Sequence, residues 1–408
     1  MKMRFLIFII IFFVSYNGLA TELMSDPEVE DIIKKMSEPI FEVAGLDKSN
    51  IKITLIKDNS INAFVLDTGN IFINLGLISE TSSLIEVMGV LAHETAHITL
   101  NHHNKRAEEV REAIKKSILP TIFFYRLSQY SIMQEHAADK MAVIFMKKLG
   151  IPIEGLINVL KKIKSGHVQL NAGLYKTHPG INERVNYLSG IHVKNTNLLL
   201  NNRSFLHSYN MMKAKVIGFI WDREQVLRTY NYESSESLYA KCVADYRKHN
   251  IGASLEKLGK LIRTYPKNPY FYELKAQITL EKGEIITAIF LYKQAVDLLP
   301  ESDLLKKKLI SALLTSPTQS DWKKAENLLS QFTDKKVDGF VLGKTALAKA
   351  KLGHRLESYL YSAKAALFLE DKVKAKYFLK LIQQQKAPLS KKMQEDIIDM
   401  EESLNDIP

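Results

Sequence analysis

The sequence predicts a mainly α protein in two parts: an α+β domain of helices with a small β-hairpin or sheet, followed by an α-helical solenoid. Apolar residues recur at helical spacing along most of the chain, and β-rich runs are confined to positions 51–73. Beyond position 235, Pro266 and Pro300 stand one period of about 34 residues apart, which marks a helical repeat. A length of 408 residues exceeds the roughly 250–300 that one hydrophobic core serves, so two domains are expected. With 46% apolar and 25% charged residues, the balance is that of a folded globular chain, which excludes a disordered or largely membrane-embedded one.

At the N-terminus, Lys2 and Arg4 precede an unbroken apolar run, Phe5 to Val14, and then the small-residue stretch Gly18-Leu19-Ala20. This is the pattern of a secretory signal peptide over residues 1–20, cleaved after Ala20. The alternative is an uncleaved membrane anchor, for which the run falls short of the about 20 residues a spanning helix needs. Cys242 is the only cysteine, which excludes both lipid attachment at the end of the leader and a disulfide within the chain. The net charge of +11 falls to +9 once Lys2 and Arg4 leave. The lysines are scattered, with no dense basic stripe interleaved with aromatics, so nucleic acid is not an expected partner. Peripheral contact with an anionic membrane surface is the use such a charge suits.

After the leader, Val29, Ile32, Ile33, Met36, Ile40 and Phe41 trace one face of a helix from Pro27 to Val43, stopped at Gly45. Strands are expected at Ile51–Ile56, Ala63–Leu66 and Ile71–Ile73, the last two joined through Asp67-Thr68-Gly69-Asn70 as a hairpin. A helix follows from Ser82 to about His102, and another from Ser131 to Lys148 that ends at Gly150. The apolar stretch Ser117–Met133 between them, broken by Pro120 and Arg126, is too short to span a bilayer. It reads either as a packed helix or as a flap closing over the chemistry of its neighbours. In the repeat region, Tyr272, Ala276, Ala288, Tyr292 and Ala295 hold the bulky and small positions of two close-packed helices. Leu238, Cys242, Ser254, Leu258 and Leu261 sit at matching offsets. Tyr359, Ala363, Ala375 and Leu379 repeat the spacing, with a degenerate unit around Ala325. Cys242 therefore reads as a small packing residue.

Two motifs carry chemistry. His93-Glu94-Thr95-Ala96-His97 places two imidazoles at i and i+4, about 400° of helical rotation apart and hence on one face, where both can ligate one metal. Glu94, turned by about 100° from His93, can stand beside the metal's open position and act as a general base. Glu135-His136-Ala137-Ala138-Asp139 follows further along, on a second helix. Its Glu135 can supply the third ligand, and Asp139 can accept a hydrogen bond from a ligand histidine and fix its orientation. With nitrogen and oxygen donors only, zinc is the metal expected, one per chain. His102 is turned about 140° from His97 on a continuous helical wheel and is not counted as a ligand.

Together the motifs resemble the gluzincin peptidases that include the CAAX prenyl protease and the heat-shock membrane protease, over about residues 27–190. The resemblance implies a zincin-type peptidase domain. It also rests on Asn62-Ala63-Phe64 with Ile71 to Leu77, similar to the family's hairpin ahead of the metal helix, and on Thr177-His178-Pro179 with Arg184. It implies that the substrate pairs as an added strand on the Ala63–Leu66 edge beside Asn62, Ala63 and Phe64. His178 or Arg184 would then stabilise the oxyanion. For His178 a second role stays open, a latch that fills the fourth metal position until a client moves the loop. The repeats resemble a tetratricopeptide array over about residues 236–400.

A leader before and repeats after the peptidase domain resemble the branch of this family that works in the Gram-negative periplasm. Its clients would be unfolded or partly folded envelope proteins, and the outer-membrane assembly machinery would bind through the repeats. The expected organisation is a signal peptide over 1–20, a zinc metallopeptidase domain over 21–200, bridging helices over 201–235 and tetratricopeptide repeats over 236–405. The expected activity is peptide-bond hydrolysis in quality control of outer-membrane β-barrel assembly. The rival reading is a tetratricopeptide chaperone or scaffold whose metal site is structural or silent. Glu94 separates the two, because a structural site has no need of a carboxylate there.

Overall fold

The computed structural model describes residues 23–66, 69–102, 131–165, 178–332, 337–385 and 388–405. The expected leader, Asp67 and Thr68 of the hairpin turn, residues 117–130 of the apolar stretch, and Thr177 lie outside the described residues. Among those described, no helix is long and apolar enough to cross a membrane. The chain divides into two units, Met1–Ser25 with Ile32–Val216, and Asp26–Asp31 with Ile217–Pro408.

The first unit holds one four-stranded sheet, β1 (Leu23–Met24), β2 (Lys52–Ile56), β3 (Ala63–Val65) and β4 (Asn70–Asn74), in the order β1-β2-β4-β3. The expected hairpin is present as the antiparallel β3/β4 pair, with Phe64 opposite Phe72. The parallel pairing of β2 with β4, Lys52 opposite Asn70 through Ile56 opposite Asn74, leaves β3 on the sheet's edge. The crossover that this needs is tied by Asp58, whose Oδ1 accepts from the Ser60 amide at 2.7 Å and the Asn74 side chain at 3.2 Å.

Around the sheet stand α1 (Pro27–Val43), α2 (Leu75–Glu80), α3 (Leu84–Thr99), α4 (Ile132–Leu149), α5 (Glu154–Ser165), α6 (Ile181–Ser189) and most of α7 (Arg203–Ile220). α1 matches the expected span and buries the residues its periodicity marked, Val29, Ile32, Ile33, Met36, Ile40 and Phe41. The strand expected at Ile71–Ile73 is present within Asn70–Asn74, and Leu75–Glu80 after it is helical.

α3 is buried on every face from Val87 to Ile98, so it is a central helix rather than an amphipathic one. Two glycines let α5 lie against it. A Cβ on Gly89 would stand 2.8 Å from the Leu156 amide nitrogen, and one on Gly155 would stand 2.4 Å from the Ile85 carbonyl oxygen. α4 begins with a capping box in which Ser131 accepts from the Gln134 amide and Gln134 returns the bond. It ends at the left-handed Gly150.

The second unit is a run of antiparallel helices: α8 (Arg223–Thr229), α9 (Ser235–Arg247), α10 (Ile251–Thr264), α11 (Pro269–Glu281), α12 (Ile285–Leu298), α13 (Asp303–Thr315), α14 (Gln319–Leu329), α15 (Gly339–Lys351), α16 (Arg355–Phe368), α17 (Lys372–Gln383) and α18 (Lys391–Asn405). Tight turns within pairs use a left-handed residue, His249 between α9 and α10 and Gly283 between α11 and α12, one full repeat period apart. The next such position is Pro317, where no left-handed residue is possible, and the turn is held instead by Ser316 and Thr318 around Asp321. This is the degenerate unit. Gly353 and Glu370 restore the left-handed turn, but at half the period, so α16 closes one helical pair and opens the next. Cys242, Ser254, Ala276, Ala288, Ala363 and Ala375 are fully buried, as small residues at close helix crossings must be.

Candidate active site

α3 delivers His93, Glu94 and His97 and α4 delivers Glu135 and Asp139, all of them almost wholly shielded from solvent. Buried charge is tolerated only when paired, and here the pairing is dense. The Nε2 atoms of His93 and His97 face each other at 3.1 Å, and each lies 3.3 Å from an oxygen of Glu135. His93 Nδ1 is 2.9 Å from Asp139 Oδ1, and His97 Nδ1 is 2.9 Å from His102 Nδ1. With the outer nitrogen of each ring engaged in this way, both inner nitrogens can turn lone pairs toward the same point.

Two facing lone pairs repel unless a cation lies between them. Zinc bonds of about 2.0–2.2 Å in a tetrahedron separate ligand atoms by about 3.3–3.6 Å, close to the separations found here. Near this point stand three carboxylates, Glu94, Glu135 and Asp139, and one guanidinium, Arg184, a balance that a dication neutralises. Four residues, His93, His97, Glu135 and His178, have ligand atoms within 4.8 Å of one another. The donor set therefore fits zinc.

Arg184, at the start of α6, is 1% exposed. Its Nη1 lies 2.5 Å from Glu135 Oε2, while Nε and Nη2 donate to the two oxygens of Asp139 at 2.7 and 2.9 Å. His178 sets Nδ1 at 3.1 Å from Glu135 Oε1 and Nε2 at 3.1 Å from the Ala63 carbonyl oxygen, 3.7 Å from Glu94 Oε1. Because the Asn62 carbonyl accepts from the Asn74 amide across the hairpin, the next carbonyl, that of Ala63, faces the open edge of β3.

Electrostatics follow from burial and these contacts. Burial pushes Glu94 up to about 7, against the pull of His178 and His93. Burial and Arg184 oppose a proton on His93, yet Asp139 and Glu135 outweigh them and lift it to about 9. Burial drives His97 down to about 3. Burial would raise Glu135, but His178 and Arg184 hold it well below the usual carboxylate range. The cluster thus draws positive charge to its centre, where a metal ion would replace the His93 proton.

Beside Glu94 opens a cavity whose walls include Leu77, Val90, Leu156, Val159, Leu160 and Ile163, with Asn62, Ala63 and His178 at the cluster end. Asn62 is 3% exposed and, among the described residues, neither of its side-chain amide atoms has a hydrogen-bond partner; the same holds for Glu94 Oε2. Of the expected site residues, Phe64 stands apart. Its ring stacks on Phe72 at 5.2 Å in a small apolar cluster with Ile56 and Leu66, and as the residue after Ala63 it turns its backbone polar groups back toward β4 rather than to the open edge.

Two features escape a reading of the sequence. A helix continued as far as His102 would turn that ring away from His97, but α3 stops at Thr99. Asn101 then turns left-handed, and the His102 amide donates to the His97 carbonyl at 3.1 Å, which brings the two rings together. The wall from α5 carries only an amphipathic pattern and gives no local sign of facing a catalytic cleft.

Residues 24–192 match Peptidase family M48. The β-barrel assembly-enhancing protease of Yersinia pestis is 22% identical over 312 residues, 68% of this chain and 64% of that protein, so the chain spans just under two thirds of that relative's length. The protein of the same name from Escherichia coli strain K12 is 20% identical over 82% of this chain and 74% of its own. The mitochondrial metalloendopeptidase OMA1 of Bos taurus is 29% identical over 82 residues, 20% of this chain and 16% of its own.

Proposed function

From a chain that carries a peptidase M48 domain of the gluzincin type, we propose a zinc-dependent endopeptidase that hydrolyses unfolded or misassembled envelope proteins in the periplasm. The observation that supports it best is the convergence of His93 Nε2, His97 Nε2 and the Glu135 carboxylate on one point, beside a buried Glu94 tuned near neutrality. Zinc, held by those three residues, would supply the Lewis acidity that polarises the scissile carbonyl and makes water nucleophilic at neutral pH.

The chain's own residues do the rest. Glu94 accepts the proton of the attacking water at its free Oε2 and returns it to the leaving amine. Asp139 and His102 fix the tautomers of His93 and His97, and Arg184 braces Glu135 and Asp139. The substrate pairs with the outward edge of β3, its chain passing Asn62, and the aliphatic cavity takes a neighbouring side chain. His178 occupies the edge carbonyl that such a strand needs, so an incoming strand must displace it; a latch on the fourth metal position would in addition need one of its ring nitrogens, which here meet Glu135 and Ala63, to turn to the metal.

Residues 21–200 would carry the chemistry, 201–235 bridge, and 236–405 form a helical surface for protein partners. Similarity to β-barrel assembly-enhancing proteases makes outer-membrane β-barrel assembly the proposed setting, with its machinery as partner. The test is hydrolysis of an unfolded outer-membrane protein by the purified chain, with zinc content measured beside it. Loss of both on chelation and return of both with zinc are expected; hydrolysis that survives complete zinc removal would defeat the proposal.

A further inference from the structure

The second unit exposes an apolar corner that its helical packing does not use. At the turn joining α16 to α17, Phe368 and Leu369 are 54% and 70% exposed, and on the first turns of α17 Val373 and Tyr377 are 81% and 56% exposed. Val373 and Tyr377 stand at i and i+4 on one helical stripe, while Phe368 and Leu369 lie together against the start of α15 at Gly339. Scattered exposed apolar residues need no explanation, but four within the ten residues 368–377 do.

Lys372, Lys374, Lys376 and Lys380 flank these side chains on the same helix, and the last three are exposed. None of the four has an ion-pair partner among the described residues. Several lysines elsewhere in the unit are paired, Lys257 with Asp245, Lys307 with Asp338, Lys349 with Glu326, and Lys364 with Asp396, whereas here four unpaired ones stand on a single helix. Of the acids beside the corner, Asp338, next to Gly339, is paired with Lys307, Glu370 takes up the left-handed turn, and the Asp371 carboxylate caps α17 by accepting from the Lys374 amide at 3.0 Å. The corner is therefore apolar at its tip and cationic around it.

We propose that the α16–α17 corner is a docking surface for an anionic lipid bilayer. Phe368, Leu369 and Val373 would enter the boundary between headgroups and acyl chains, Tyr377 would sit at headgroup level, and the lysines would extend along the surface to lipid phosphates. Charge complementarity selects the occupant. A zwitterionic surface offers the lysines little, whereas an anionic one rewards each of them, and apolar side chains that project from a turn suit a flat surface better than an extended peptide.

Flotation of the full-length protein with vesicles of phosphatidylcholine, alone or with about 30% phosphatidylglycerol, tests this at about 0.15 M salt. The expected result is binding to the anionic vesicles at least about tenfold tighter than to the neutral ones, weakening as salt rises. The triple variant Lys374→Gln, Lys376→Gln, Lys380→Gln should lose about fivefold per lysine. The double variant Leu369→Asp, Val373→Asp should lose binding altogether. Both tryptophans, Trp221 and Trp322, lie in this unit, so their fluorescence reports whether each variant stays folded; if the aspartate pair unfolds, the lysine triple still decides the matter. Failure to bind anionic vesicles, equal binding to neutral ones, or a folded lysine triple that binds as the unsubstituted protein does would overturn the proposal. So would capture by a soluble polyglutamate peptide, with the same lysine dependence, in place of vesicles.

Discussion

The two units bury different things. In the first, the least exposed side chains include His93, Glu94, His97, Glu135, Asp139 and Arg184, all converging on one point. In the second, the core clusters are aliphatic and small, such as Leu309, Ile310, Ala312, Leu313 and Ala325, or Leu360, Ala363, Ala375 and Leu379. Function in the first unit is thus a matter of which atom holds a proton or lone pair. Integrity in the second is a matter of volume. Shape-preserving changes of chemistry should silence the first unit and barely touch the second, and changes of size should do the reverse.

The largest effect expected is from Glu94→Gln, which keeps the volume of a buried side chain and removes only its capacity to take a proton. Hydrolysis of an unfolded substrate should fall by about 10²–10⁴-fold, the usual scale of general acid–base catalysis, while zinc content and thermal stability hold. Near-normal turnover would remove Glu94 from the mechanism and revive the scaffold reading.

His102→Ala should come next. It leaves the three proposed ligands in place but strips His97 Nδ1 of its partner, so zinc affinity should drop about 10–100-fold. Competition with a chromogenic chelator reads this directly, and excess zinc should restore activity, which it would not if His102 were needed only for folding.

In the second unit, Ala288→Leu inverts the logic. Ala288 is fully buried where α12 meets α11, and the added isopropyl group must be accommodated by moving the helices. Overpacking of this kind costs about 1–3 kcal/mol. Because both tryptophans belong to this unit, the urea midpoint of their fluorescence should shift down while hydrolysis of a short peptide stays unchanged. Parallel loss of both would mean that the repeats support the peptidase fold itself.

The same division explains what is legible in the sequence. α1 can be read from its apolar period and α4 from its capping box and its stop at Gly150, which are local properties, and the i, i+4 spacing of His93 with His97 and of Glu135 with Asp139 fixes direction without knowledge of the neighbours. The β2/β4 pairing cannot, because it depends on a crossover tied by Asp58, Ser60 and Asn74. His102 is hidden as a partner of His97 because one left-handed residue, Asn101, resets the helical wheel. Repeat spacing is legible in the small residues, but the half-repeat step at α16 is not, since the same small-residue spacing serves either pairing of helices.

The smallest effect concerns a buried carboxylate at the entry to the repeats. Asp245 on α9 accepts from Arg223 Nε and Lys257 Nζ, each at 2.7 Å. Burial alone would raise its pKa, but the bonds from Lys257 and Arg223 outweigh burial and hold it below the ordinary 3.8. A group depressed in the folded state contributes stability above its unfolded pKa and loses it as pH falls through the folded value, because the unfolded chain then binds the proton first. Asp245→Asn should therefore cost about 1 kcal/mol at neutral pH, a modest figure because both cationic partners are partly exposed and screened. The gap between the urea midpoints of the two proteins, followed by tryptophan fluorescence, should stay constant down to about pH 5 and close progressively below about pH 4. A gap that persisted unchanged at the acid end would show that Asp245 acts by shape, like its aliphatic neighbours, and not by charge.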